Sequence, residues 1–144
     1  MNAILKYSFS ALFLLLMGCV AISCDHHRDP DEGRVVAYAP LKVDSFKINS
    51  DTMLVNSVQS IRTYFTLHSK CEGFYGYQFD KLGMERKVIP YYYKTDGNCS
   101  PQDKAYYTQF NFSPETSGIY EFKFWNGKDN AGNDVWIEKS IVVE

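Results

Sequence analysis

The chain has none of the short signatures by which catalysis is usually recognised. In its 144 residues there is no nucleophile elbow, no HExxH pair and no glycine-rich phosphate loop. Histidine is scarce: there are three, and His68 is the only one beyond the first 30 positions. The four cysteines include no CxxC pair, which removes the usual redox and zinc-ribbon arrangements. An excess of positive charge is also lacking. Fifteen Lys and Arg against 17 Asp and Glu give a net −2, and a surface without surplus cations is poorly suited to a phosphate backbone. No internal repeat or low-complexity tract occurs. Beyond the N-terminus, no amphipathic stretch is long enough for a helix. These absences predict a protein that is not an enzyme, with no catalytic residues, no cofactor, no metal site and no nucleic-acid partner.

What is present is hydrophobic and aromatic. The chain is 45% hydrophobic and 22% charged, the balance of a globular domain, and its length suits one domain rather than two. Aromatic residues make up 16%, with 11 Tyr, 10 Phe and 2 Trp. Flat rings pack well on a pleated surface, so this richness favours β-structure.

The N-terminus carries one charge, Lys6, before an apolar run through Ala11-Leu12-Phe13-Leu14-Leu15-Leu16-Met17. That pattern is a signal peptide, removed on export. The alternative is an uncleaved anchor, since Ile4 to Ile22 is close to spanning length. Two cysteines follow, in Leu16-Met17-Gly18-Cys19 and Ala21-Ile22-Ser23-Cys24. Here the chain resembles bacterial lipoproteins, in which a small residue precedes a cysteine that is lipidated and becomes the mature N-terminus. Cys24 is favoured because polar Asp25-His26-His27-Arg28-Asp29-Pro30-Asp31-Glu32 begins at once, and Cys19 is the alternative. The resemblance implies residence in the cell envelope, most simply at the outer membrane, with the membrane as partner through the lipid anchor. Residues 1–23 are then the signal, 24–40 the lipidated cysteine and a flexible tether, and 41–144 the folded domain. His26 and His27 beside Asp25 and Asp29 read as part of a solvated tether rather than as metal ligands.

From Leu41 onward the hydrophobic pattern has a period near two. It predicts strands at Leu41–Ile48, Ser60–His68, Phe74–Phe79, Met84–Tyr93, Ala105–Phe112, Ile119–Trp125 and Val135–Val143, separated by Gly-, Pro-, Asn- and Asp-rich breakers. About seven short strands at this spacing predict an all-β, two-sheet antiparallel sandwich. Ile61, Thr63, Phe65 and Leu67 share one face, and Tyr120, Phe122 and Phe124 alternate with Glu121 and Lys123. The segment Phe112-Ser-Pro114-Glu-Thr-Ser-Gly118-Ile-Tyr120-Glu-Phe122-Lys-Phe124 is followed by Asp129-Asn-Ala-Gly132-Asn133 and a closing β-branched strand. This resembles the last two strands of bacterial immunoglobulin-like domains, and it implies an immunoglobulin-like or fibronectin type III-like sandwich. It also places Tyr120 where a tyrosine corner forms. Such sandwiches carry many unrelated tasks. The Ser-Gly-x-x-Tyr motif of lipoprotein lysozyme inhibitors is not met, because Ser117-Gly118-Ile119-Tyr120 is one residue short.

A few residues invite a role. In an exported chain, Cys71 and Cys99 are expected to pair as a structural disulfide. Trp125 and Trp136 are expected to meet on the solvent side of the final hairpin, where an exposed pair suits polysaccharide or an envelope protein. The rival reading is a satellite cluster in which Tyr91-Tyr92-Tyr93 or Tyr106-Tyr107 folds over them. The parity of the last strand is imperfect, since Lys139 falls on the core side unless a bulge intervenes. The Tyr91, Tyr92, Tyr93 run extends the candidate surface, and Pro90 before it predicts an edge or a strand start. Asp129, Asn130, Asn133 and Asp134 offer oxygen ligands around Gly132, although turn chemistry explains them equally. The sequence thus predicts a non-catalytic binding or adhesion module, with an assembly subunit as the alternative and a small enzyme inhibitor as the least favoured.

Overall fold

Alternating apolar positions build two facing sheets. The structure, a computed structural model, describes residues 33–144. The strands are β1 (Val35–Pro40), β2 (Ser45–Ile48), β3 (Thr52–Met53), β4 (Gln59–Ser69), β5 (Glu72–Leu82), β6 (Glu85–Thr95), β7 (Pro101–Phe112), β8 (Gly118–Lys128) and β9 (Asp134–Val143). β2, β4 and β7 form a small sheet in the order β2-β4-β7. The other six form the large sheet. β5 covers one edge of β6 along its whole length, and β8 leads outward from the other edge to β9 and β3.

Four expectations are corrected here. The tether does not extend to residue 40, because Val35–Pro40 pairs with the C-terminal part of β6, from Pro40↔Tyr91 to Val35↔Thr95. Nor is Leu41–Ile48 one strand. Leu41 and Val43 are buried while the chain crosses from the large sheet to the small one, and β2 begins only at Ser45. There are nine strands rather than seven among the described residues, and β6–β8 and β3–β9 pair in parallel, so the sandwich is not purely antiparallel.

The placement of Pro90 follows from this arrangement. It lies in the middle of β6, neither on an edge strand nor at a strand start. β8 pairs with β6 only as far as Val88, and β1 takes over the same edge at Tyr91. In that gap the carbonyl of Pro90 accepts from Leu41 N at 2.7 Å, and the missing N–H falls where no strand needs it.

The main core joins Val43, Ile61, Val88, Phe112, Tyr120, Phe122, Phe124, Ile141 and Val143. Phe65, Phe122 and Phe124 are fully buried, each contributing about 1.5–3 kcal/mol of apolar transfer. A second cluster of Leu41, Phe65 and Leu67 takes Phe74 and Tyr92 against it. The fully buried Thr63 shares a 2.6 Å hydrogen bond with the Tyr77 hydroxyl, linking the two sheets. Burial raises the pKa of that phenol, while its hydrogen bonds to Thr63 and Thr108 lower it. Tyr120 forms the expected corner: its hydroxyl donates to the carbonyl of Thr116 at 3.1 Å and lies 3.0 Å from the Thr116 hydroxyl.

No bulge spares Lys139 from the core side. It stands opposite Phe122 and escapes along its own stem, its Nζ reaching Asp51 at 2.8 Å. The Cys71–Cys99 disulfide closes 28 residues, tying the β4–β5 turn to the β6–β7 loop.

Candidate functional site

Alternation along β8 and β9 sends Tyr120, Phe122 and Phe124 inward, so the residues between them face away from the core. Trp125 and Trp136 are directly opposite in the hairpin register, and both are half-buried. The Trp125 indole donates to Asp134 Oδ1 at 3.0 Å, which fixes its ring. Lys87, on the neighbouring strand β6, holds its ammonium 5.6 Å from the centre of the Trp136 ring.

Below the tryptophans lies an ion-pair network on the same face. Lys123 Nζ is 2.7 Å from Glu85 and 3.7 Å from Glu138, and Lys87 is 3.5 Å from Glu85. The hydrogen bond from Lys123 holds the Glu85 carboxyl below its ordinary value, and the same bond raises the Lys123 ammonium. Asp134 is lowered first by Lys128, 2.8 Å away, and then by the indole of Trp125.

The tyrosine run divides as strand geometry requires. Tyr91 and Tyr93 are half-buried on the outer face, where the Tyr91 hydroxyl donates to Gln78 at 3.1 Å. Tyr92 turns inward against Leu41, Phe65 and Leu67, which corrects its assignment to the ligand surface. Two aromatic residues join the face that sequence reasoning missed. Tyr38 stands opposite Tyr93 in the β1–β6 pair, and its ring lies 4.5 Å from that of Tyr75. Tyr38 falls within the expected tether, although Val35-Val36 ahead of it is a β-branched signal. Tyr75 sits where the β5–β6 register shifts between Phe74 and Gly76, so simple alternation cannot place it.

Tyr106 and Tyr107 do not fold over the tryptophans, because both belong to the small sheet. Tyr106 stacks inward on Phe65 at 5.5 Å, and Tyr107 lies on that sheet's outer face beneath the guanidinium of Arg62 at 4.9 Å. Trp125 also borders a cleft of about 380 Å³ with Lys42, Asp44, Thr66, His68, Glu72 and Tyr92. There His68 Nδ1 lies 2.7 Å from Asp103, and that hydrogen bond is the main reason its pKa is raised.

The Asp129–Asp134 turn uses its own oxygens. Asp129 accepts from the backbone N–H of Ala131 and Asn133 and from the Asn133 amide, and these bonds lower its pKa. Among the described residues no group of three or more His, Cys, Asp and Glu is arranged to hold a metal. Cys19, Cys24, His26 and His27 lie outside the described residues. No family model matches the chain, and no match was found among curated proteins or solved structures.

A second concavity, of about 700 Å³, lies between β5 and β7 and contains none of the residues singled out from the sequence as candidate ligand surface. Its walls come from β5, β6, β7, β8 and the β7–β8 connection, so only the tertiary arrangement assembles it.

Proposed function

We propose that the protein is a non-catalytic, lipid-anchored module of the cell envelope that binds polysaccharide through the outer aromatic face of its large sheet. The observation that carries this reading is the cross-strand Trp125–Trp136 pair, half open to solvent, with Tyr91, Tyr93, Tyr38 and Tyr75 on the same face. Sugar rings present flat C–H surfaces, and rigid rings on a sheet receive them at little entropic cost. Anchoring through Cys24, or alternatively Cys19, rests on the signal and lipobox pattern of residues 1–24. Kinship with immunoglobulin-like or fibronectin type III-like sandwiches is supported by the tyrosine corner at Tyr120 and the Asp129–Asn133 hairpin. The parallel β6–β8 pairing departs from that pattern.

The test is native electrophoresis of the protein in gels cast with a panel of neutral and acidic polysaccharides, beside a Trp125→Ala/Trp136→Ala variant. Retardation is expected in at least one polysaccharide, with affinity falling roughly tenfold or more in the variant. Unchanged mobility across the panel refutes the reading.

A second reading, an assembly subunit of an envelope complex, has its own observation. Leu54, Val58, Leu82, Ile119 and Val142 are exposed around the end formed by the β3–β4, β5–β6 and β7–β8 connections. Extraction in mild detergent with a stoichiometric partner, lost on Ile119→Asp, favours it over glycan binding.

A further inference from the structure

β5 and β7 are the outermost strands of the two sheets on one side of the sandwich, so aromatic rings rather than ladder hydrogen bonds close that side. Phe74 stacks towards Tyr106 at 6.4 Å, Tyr77 meets Phe110 at 5.2 Å, and Phe79 meets Phe110 at 4.9 Å. The seal stops there. The next inward position on β5 is Lys81, and its partner directly across the β5–β6 ladder is Arg86. Two like charges therefore meet directly across the ladder beside the turn of the β5–β6 hairpin, Lys81 exposed and Arg86 half-buried, an arrangement that is normally unfavourable.

Neither cation forms an ion pair among the described residues. Arg86 is nonetheless held firmly. Its Nη1 donates to the carbonyls of Gly83 at 2.6 Å and Glu85 at 2.8 Å, and its guanidinium carbon lies 4.9 Å from the centre of the Tyr120 ring. Beyond the pair opens the cleft of about 700 Å³, lined by Phe79, Phe110, Phe112, Tyr120 and Phe122. Glu115, in the β7–β8 connection, also lines the cleft. Asp80 and Lys87, also at the border, are cross-strand partners that alternate to the other face of the sheet.

We propose that this cleft binds a small organic anion with an aromatic or branched apolar body. The body covers the rings where the aromatic seal ends, and the anionic head neutralises the Lys81–Arg86 pair, with the planar guanidinium suited to a bidentate carboxylate or sulfonate. The cleft falls within the 300–1,000 Å³ or so typical of small-ligand sites. Two unpaired cations side by side at the mouth of an aromatic cleft are the kind of local conflict that an anionic ligand resolves. The site is separate from the outer face of the large sheet and does not depend on glycan binding there.

The test is fluorescence titration of the full chain with 8-anilinonaphthalene-1-sulfonate and with its uncharged counterpart N-phenyl-1-naphthylamine. Comparing wild type with Lys81→Gln/Arg86→Gln isolates the cleft from any other apolar part of the chain. The expected result is a saturable sulfonate site weakened roughly tenfold in the variant, with the uncharged probe unchanged. No saturable sulfonate site, an equal affinity in both proteins, or an equal loss of both probes overturns the proposal. If the double variant fails to fold, Glu115→Gln decides. Removing this negative charge from the lining is expected to tighten sulfonate binding roughly twofold or more, and an unchanged affinity overturns the proposal.

Discussion

His68 shows how one exposed contact sets a titration. Its ring nitrogen lies 2.7 Å from Asp103 on the adjacent strand, with Glu72 and Asp44 adding weaker negative potential, and all of these raise its pKa above 6.5. A raised value in the folded state means that the pair contributes stability below about pH 6.5, and that this contribution is lost as the pH rises through the folded pKa. Proton NMR titration of the His68 ring is expected to give a midpoint above 6.5 in the wild type and a return towards 6.5 in Asp103→Asn. A midpoint unmoved by the substitution contradicts this account. Alternation against Ile61, Thr63, Phe65 and Leu67 puts His68 on the polar side of its strand with Arg62 and Tyr64, but Asp103 lies 35 positions away and is brought to it by strand pairing alone. Lys139 was legible in the same partial way. Its core-side parity was read from the sequence, whereas the escape to Asp51, 88 positions distant, was not.

Most strands were legible because alternation is local. Ile61, Thr63, Phe65 and Leu67 are all buried, as are Tyr120, Phe122 and Phe124, in agreement with the period-two reading. β1 was missed because its side chains are mostly exposed, so it carries no alternation to detect. Its place is set by backbone pairing with Tyr91–Thr95 and by Arg34 N bonding to Asp96. A chain beginning at Leu41 is therefore expected to be less stable to urea than one beginning at Gly33, by about 2 kcal/mol for the lost ladder bonds. Equal midpoints would return Val35–Pro40 to the tether. The division of the tyrosine run follows the same geometry: three consecutive residues must occupy both faces, and Tyr92 is the one opposite Phe74 and Ala39 on the inward side.

Across the whole molecule, the second apolar cluster and the disulfide lie towards one end of the sandwich, where the β4–β5 turn meets the β6–β7 loop. Replacing Cys71 and Cys99 together by Ser is expected to lower unfolding stability by about 3–4 kcal/mol, the loop-closure entropy of a ring of this size. Equilibrium denaturation in urea, with and without reductant, measures it, and a loss of under about 1 kcal/mol would mean that strain or residual structure cancels the constraint. Residue order along the chain was enough to establish an all-β domain, the inward faces of its strands, the cysteine pair and the opposition of Trp125 to Trp136, because each depends on short-range periodicity or simple parity. The parallel pairing of β6 with β8, the insertion of Pro90 between two partner strands, and the cleft in which Lys81 and Arg86 face aromatic rings came from folding. Each depends on contacts between segments far apart in the chain, where many pairings satisfy the same local pattern and burial of the shared core selects one.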